Sequence, residues 1–462
     1  MPARAGSEEW KSDPVGMLRV HQAHAYKLGQ CIADLIDNSY DADATKIEVE
    51  IGMTEEDERM FVLILDNGNG IPKDRWQDAM TLGGRRDRKE TDLGVYGVGL
   101  KLSSLSQANE VTVASVHQGE FGLRRISANH IRETERNEIL MTPTSSREYN
   151  DAYQRFVEKE FSTMVLLEDM QAERRIESLD STKDAALVRE IRKIKVHLGI
   201  TFERVLESND RGHVELLFQG TPVPPINPFM VWEDDPRYGT VSSPTVPISF
   251  DSGGRTVRAR VTPIIVPHKK RRSDTKRCSN VEKGYQKAND MQGFYVYRND
   301  RLIQYGGWSG LWATNDEHNK LSKVIIDIPP DTEAIFGLSP TKTDIQIPTE
   351  FLRRVKDHLD TPRQWGQIKS GKELKFSEAS RYRYDKEGKT AKLKKKPSKS
   401  KDTKPEPEIF NPDSKGRKKR KTKPNPGAVK SYEDNGNLTT VVIDNKADRA
   451  DALLEEIRRW KE

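Results

Sequence analysis

A carboxylate and an amide one helical turn apart, an aspartate in a glycine turn, and a glycine-rich loop ending in lysine can together hold a magnesium-nucleotide. This chain carries them in that order, as Asp34 and Asn38, then Asp66-Asn67-Gly68-Asn69-Gly70, then Gly94-Val95-Tyr96-Gly97-Val98-Gly99-Leu100-Lys101. The amide oxygen of Asn38 is a hard donor suited to Mg²⁺, which keeps several waters and phosphate oxygens in its shell. Asp34 would orient and deprotonate a water beside a terminal phosphate. The Asp66 carboxylate would accept from an exocyclic amino group, and Gly68 and Gly70 would let a base approach the backbone. Backbone N–H groups around Gly94, Gly97 and Gly99 would form an anion site at a helix start, to which Lys101 adds a full charge. Taken singly, each motif has an ordinary explanation: a solvated helix face, a tight turn, a flexible loop. The ordered set points to a nucleotide.

The elements that position these residues follow from periodicity. Leu28, Ile32, Leu35 and Ile36 make one apolar stripe in a helix expected over about 21–41, and Asp34, Asn38 and Asp41 share the opposite face. Asn is a poor mid-helix residue, which favours a ligand role for Asn38. Ile47, Val49 and Ile51 alternate with Lys46, Glu48 and Glu50 as a half-buried strand, and 60–65 is a continuous apolar run that reads as a buried one ending at Asp66. The charged, glycine-led stretch 83–90 is expected to be a mobile lid over the phosphates. Downstream, a helix is expected over 183–198 and strands at 213–218, 247–250, 256–266 and 324–328. A basic mobile loop is expected at 268–287.

These residues resemble the GHKL ATPases (gyrase, chaperones of the HtpG type, histidine kinases and MutL), and within them the MORC proteins and their prokaryotic relatives. Asp34-Leu35-Ile36-Asp37-Asn38-Ser39-Tyr40-Asp41-Ala42 is similar to their first motif except at its first position, where the family has Glu. Asp66 through Gly70 is similar to the adenine-binding motif, and Gly94 through Lys101 to the phosphate loop. Ser162-Thr163 stands where the family has Gly-Thr, so the resemblance implies a nucleotide-binding role for Thr163. Residues 293–303 resemble the opening of the transducer lobe. In Leu338-Ser339-Pro340-Thr341-Lys342-Thr343-Asp344 the resemblance implies that Lys342 contacts the γ-phosphate and distinguishes ATP from ADP.

The implied fold is α+β. A two-layer α/β sandwich ATPase domain of the Bergerat type is expected over 1–175 and a smaller α/β transducer lobe over 176–360. A basic, largely disordered linker over 361–430 and a short strand and amphipathic helix over 431–462 complete it. The implied cofactors are ATP and Mg²⁺, and the implied activity is ATP hydrolysis. Because Asp34 is one methylene shorter than Glu, the helix must sit closer to the phosphate, or an extra water must intervene, or turnover is slow.

Charge is unevenly distributed. Residues 381–430 contain 19 Lys and Arg against 6 Asp and Glu, in a chain of 462 residues whose net charge is only +5. Such a stretch cannot offset the entropy of ordering by apolar burial and is expected to be disordered. It reads either as a solubilising linker or as an arm, over 385–430, for nucleic acid. Only Cys31 and Cys278 are present, and no run approaches the roughly 18 apolar residues of a membrane span. A cytoplasmic location is therefore expected, or a nucleoid or nuclear one if the chain associates with DNA, with no membrane partner. The resemblance implies a homodimer on ATP binding, an ATP-gated clamp in a nucleic-acid process, and room for a partner subunit. The alternatives are an HtpG-like chaperone and an ATP-binding switch with little hydrolysis.

Overall fold

The computed structural model describes residues 13–23, 26–54, 59–81, 92–93, 99–171, 183–208, 213–285, 288–312, 315–339, 342, 345–361, 373–388, 430–434 and 437–441. The fold is mixed α/β, built on two sheets. The first begins with helices α1 (Pro14–Ala23) and α2 (Leu28–Asp41) and the hairpin β1 (Lys46–Met53) and β2 (Met60–Asp66). After a short helix α3 (Trp76–Met80) come β3 (Ala108–His117), β4 (Glu120–Ser127), α4 (Ala128–Thr134), α5 (Arg147–Glu158) and β5 (Thr163–Met170). Helix α6 (Lys183–Thr201) and the short α7 (Glu203–Glu207) lead to β6 (Glu215–Phe218) and β7 (Thr221–Pro222). The strand order is β4-β3-β5-β2-β1-β6-β7, with β6 parallel to β1 and the other pairs antiparallel.

Side-chain alternation explains this sheet. Ile47, Val49 and Ile51 of β1 enter a core shared with α2 and α6. On the other face of β1, Glu48 and Glu50 pair with Arg155 and Lys159 near the end of α5. β2 is apolar throughout because both of its faces are covered: Val62 and Ile64 join the α2 core, and Leu63 and Leu65 pack with Tyr149, Ala152 and Phe156 of α5.

The second sheet contains β8 (Val241–Ser242), β9 (Val246–Ser252), β10 (Arg255–Ile265), β11 (Gly293–Arg298), β12 (Arg301–Tyr305) and β13 (Ser322–Asp327). Its order is β12-β11-β13-β10-β8, with β9 also pairing β10. Helices α8 (Thr275–Gly284), α9 (Thr349–Asp360) and α10 (Phe376–Gly388) pack around it. A hairpin of β14 (Lys430–Asp434) and β15 (Asn437–Val441) belongs to a separate unit over 391–459.

Several boundaries differ from expectation. The first helical segment is two helices, because Tyr26 and Lys27 are not helical and the Tyr26 carbonyl accepts from Gln107 Nε2. The first core runs past residue 175: Leu187, Ile194, Leu198, Leu216 and Phe218 belong to it. The expected mobile loop over 268–287 contains α8, anchored by buried Cys278, Val281 and Tyr285 at helical spacing. The expected linker over 361–430 contains α10, whose Phe376, Ala379, Ser380 and Arg383 are buried. The lid stretch 83–90, most of the glycine loop and the amphipathic segment 448–460 lie outside the described residues.

Candidate nucleotide site

Helix α2 is buried on both sides. Its apolar stripe faces the core, and the opposite face is covered too: Asp34, Asp37, Ser39 and Asp41 are between 0% and 7% exposed. The solvated-face explanation therefore fails, and each buried carboxylate must be paired. Asp34 Oδ1 accepts from Arg301 Nη2 at 3.2 Å and lies 3.8 Å from Lys342 Nζ, while Tyr26 Oη donates to its Oδ2 at 3.3 Å. Asp37 Oδ1 accepts from Arg301 Nε at 2.8 Å, and its Oδ2 pairs with Lys342 Nζ. Burial raises the Asp34 carboxyl to about 6. Lys342 and then Arg301 hold it down against that, and neighbouring Asp37 pushes it up.

Both cations come from the second sheet's side of the molecule. Arg301 opens β12 immediately after the two-residue turn Asn299-Asp300, whose φ angles of 48° and 65° are those of a tight hairpin. This hairpin tip reaches into the first lobe. Arg298 donates to the Asp92 carbonyl at 2.7 Å and pairs with Glu333, and Asn299 Nδ2 also donates to the Asp92 carbonyl. Lys342 has φ of 50°, unusual for a side-chain-bearing residue, and its carbonyl accepts from Arg301 at 3.4 Å.

Asp66 lies at the end of β2, in register with Thr163 of β5. It is buried, and its Oδ2 accepts from Ser39 of α2 at 2.7 Å and its Oδ1 from the Gly68 N–H at 2.9 Å. Thr163 also hydrogen-bonds its carboxylate, and burial carries the carboxyl up to about 6 despite these donors. The turn beyond it is tight. A Cβ on Gly70, where φ is 70°, would sit 2.1 Å from the Val116 carbonyl oxygen. Gly70→Ala is therefore expected to destabilise the fold by about 3 kcal/mol. A urea denaturation midpoint unchanged from wild type would contradict that.

The glycine loop is seen at its flanks. Leu93 N–H donates to Asp41 Oδ1 at 2.6 Å, and Gly99–Ser103 forms a single π-helical turn against α2. Gly94 and Gly97 lie outside the described residues. Lys101 is buried, and its ammonium donates to the Ala79 carbonyl at 2.8 Å, at the end of α3 where the lid stretch begins. Burial lowers it to about 8. Asn38 is half-buried, and its side chain has no hydrogen-bond partner among the described residues.

The structure thus brings Asp34, Asn38, Asp66, Gly68, Gly70, Thr163, Lys342 and the flanks of the glycine loop together around α2. Two members were not singled out from sequence, Arg301 and Asp37. The sequence signal for Asp37 was its place three residues after Asp34 on one helix; its burial, seen only in the structure, is what demands counter-charges.

Residues 26–163 match the family model described as histidine kinase-, DNA gyrase B-, and HSP90-like ATPase. That stretch is similar to a GHKL-type ATPase domain. Curated relatives of this chain include Protein MICRORCHIDIA 4 of Arabidopsis thaliana, 33% identical over 104 residues, or 22% of this chain and 13% of that protein. ATPase MORC2B of Mus musculus is 38% identical over 85 residues, 18% of this chain and 8% of that protein. Protein MICRORCHIDIA 7 of Arabidopsis thaliana is 26% identical over 157 residues, 30% of this chain and 22% of that protein. The matches thus span less than a quarter of each relative's length. No helix among the described residues is long and apolar enough to cross a membrane.

Proposed function

We propose that this protein is a magnesium-dependent ATPase whose second lobe reads the nucleotide, working as an ATP-gated dimeric clamp in a nucleic-acid process. The observation that supports this best is the meeting of Arg301 and Lys342 with Asp34 and Asp37. A lysine from a distant loop, placed beside the candidate base, is well located to answer a terminal phosphate. The bound nucleotide would compete with Asp37 for Lys342, so the lobes would feel its presence through one ion pair.

Asp34 is the proton acceptor in this reading. Arg301 and Tyr26 each occupy one of its oxygens, and an ionised carboxylate has about four acceptor sites, so room remains for a water. Asp66 would receive the adenine amino group, with Thr163 and Ser39 orienting its oxygens. The donor set also fits magnesium. Asn38 offers a hard oxygen that nothing else in the described structure uses, and among the described residues no three His, Cys, Asp or Glu side chains group as a protein cage. A phosphate-bound ion held by one protein oxygen matches such a set. When present, magnesium would neutralise phosphate charge and polarise the terminal phosphoryl group.

The working domain limits in this reading are an ATPase lobe extending through β7, a transducer lobe from β8 through α10, and a basic arm after it that contacts nucleic acid. A second reading, an ATP-binding switch with little hydrolysis, draws on the short Asp34 side chain and its existing ion pairs.

The deciding experiment is ATP turnover by wild type and Asn38→Ala, with and without double-stranded DNA. Asn38→Ala is expected to lose at least about tenfold in magnesium-dependent ATP binding and turnover. Intact binding and turnover in the variant would end the assignment. Wild-type binding without turnover would favour the switch. Sedimentation with a nonhydrolysable analogue should show two chains per particle.

A further inference from the structure

The stretch 268–277 contains six Lys or Arg among ten residues, and it is folded. We propose that this face of the second lobe is a docking surface for the phosphodiester backbone of nucleic acid, formed by Lys269, Arg271, Lys276 and Arg277. The inference rests on the nucleic-acid part of the function proposed above, but not on ATP chemistry. It places a contact on the folded lobe rather than on the arm alone.

Three observations carry it. First, the backbone is fixed. Buried Glu233 accepts from the N–H groups of Ser273 and Asp274 at 2.7 and 2.9 Å, Arg271 N–H donates to the His268 carbonyl, and Asp274 caps α8 by accepting from Arg277 N–H. Second, two arginines are held over aromatic rings, Arg271 over Tyr238 at 4.5 Å and Arg277 over Trp232 at 3.7 Å. Ring stacking uses the flat face of a guanidinium and leaves its in-plane N–H donors to a phosphate.

Third, most local carboxylates are already committed. Glu233 and Asp274 serve backbone donors, Glu282 pairs with Arg272, and Asp235 accepts from the N–H groups of Arg237 and Tyr238. Lys269, Arg271, Lys276 and Arg277 are exposed and have no ion pair among the described residues. Asp234, exposed two residues after Trp232, is the one nearby carboxylate with no partner among them. A preformed cationic face with its acids turned to internal use suits a regularly spaced polyanion and carries no base-reading device.

Helix α10 ties the same region to the chain that follows. Arg383 donates to the Gly239 carbonyl at 2.7 Å, next to Tyr238, and the Tyr384 ring packs on His268 at 5.2 Å. Residues 389–429 then carry 15 Lys and Arg against 4 Asp and Glu. A weak folded contact and a tethered basic segment would reinforce each other by effective concentration.

The test compares full-length wild type, a variant with Lys269, Arg271, Lys276 and Arg277 each changed to Gln, and a deletion of 389–429. Each is titrated into labelled 25-base-pair DNA, the matching single strand, and phosphatidylserine vesicles over a range of salt. The quadruple variant is expected to lose about 10²-fold in nucleic-acid affinity and to lower the salt slope on duplex DNA by about 3.6, because each of four neutralised phosphates contributes about 0.9. The change Arg271→Lys with Arg277→Lys keeps charge without ring stacking and should fall between. Full affinity and slope in the quadruple variant, with binding lost only on deleting 389–429, would overturn the inference and leave the arm reading standing. No wild-type nucleic-acid binding at low salt would overturn both. Loss of vesicle binding alone would also overturn it. Unchanged melting and ATP binding in the quadruple variant would assign a loss of affinity to the surface.

Discussion

Asp34→Asn should lower magnesium-dependent ATP turnover by about 10³-fold, within the 10²–10⁴ typical of a general base, while ATP affinity changes by less than about threefold. Asparagine keeps the shape and can still bond Arg301 and Tyr26, but it cannot take a proton. The pH dependence carries a second arm. A base works ionised, and burial sets the Asp34 carboxyl at about 6. Turnover should therefore be low near pH 5, half-maximal near 6 and level above about 7. Arg301 is one of the two cations that favour the ionised form. Arg301→Gln should thus move the acidic limb to higher pH as well as lowering the plateau. An unmoved limb in that variant would show that Arg301 serves only to join the lobes. Asp34→Asn with wild-type turnover would remove Asp34 as the base.

Asp66→Asn should weaken ATP binding by about 10²-fold, equivalent to roughly 3 kcal/mol. The carboxylate offers only acceptors, and three protein donors already converge on it: Ser39, Thr163 and the Gly68 N–H. An amide presents an NH₂ to one of these donors or to the adenine amino group, so at least one buried donor loses its partner. Because the Asp66 carboxyl is raised to about 6 by burial, replacing it with a neutral group also relieves a desolvation cost. The fold is accordingly expected to survive. Calorimetric titration with ATP and with GTP checks the point: weakened ATP binding with unchanged melting supports base recognition. Equal affinity in the variant would move the base elsewhere.

The hairpin and the buried strand were legible in the sequence because alternation and continuous apolarity are local signals. Ile47, Val49 and Ile51 face one core, and β2 is covered on both sides. The candidate nucleotide motifs stood out as patterns for the same reason, since each is a short run. What failed to show was everything settled by distant contacts. Helix α2 begins at Leu28 rather than near 21 because Tyr26 is held by Gln107 and Asp34, with no glycine or proline at the break. Arg301 follows an ordinary-looking Asn-Asp turn, and nothing nearby marks it as the partner of a residue 264 positions earlier. In 268–287 and at α10 the charges hid an apolar spacing that was present, Cys278-Val281-Tyr285 in the first and Phe376-Ala379-Arg383 in the second. The Arg383 aliphatic stem can be buried while its guanidinium finds the Gly239 carbonyl.

The parallel pairing of β6 with β1 joins Glu215–Phe218 to Lys46–Val49 across more than a third of the sequence. During synthesis, the β1 edge must wait for more than 160 further residues to emerge before its neighbour exists. Until then Ile47, Val49 and Ile51 lack part of their cover, and a strand edge stands unpaired. Completion of this sheet is therefore expected to be a late folding step, set by a strand that carries none of the candidate site residues.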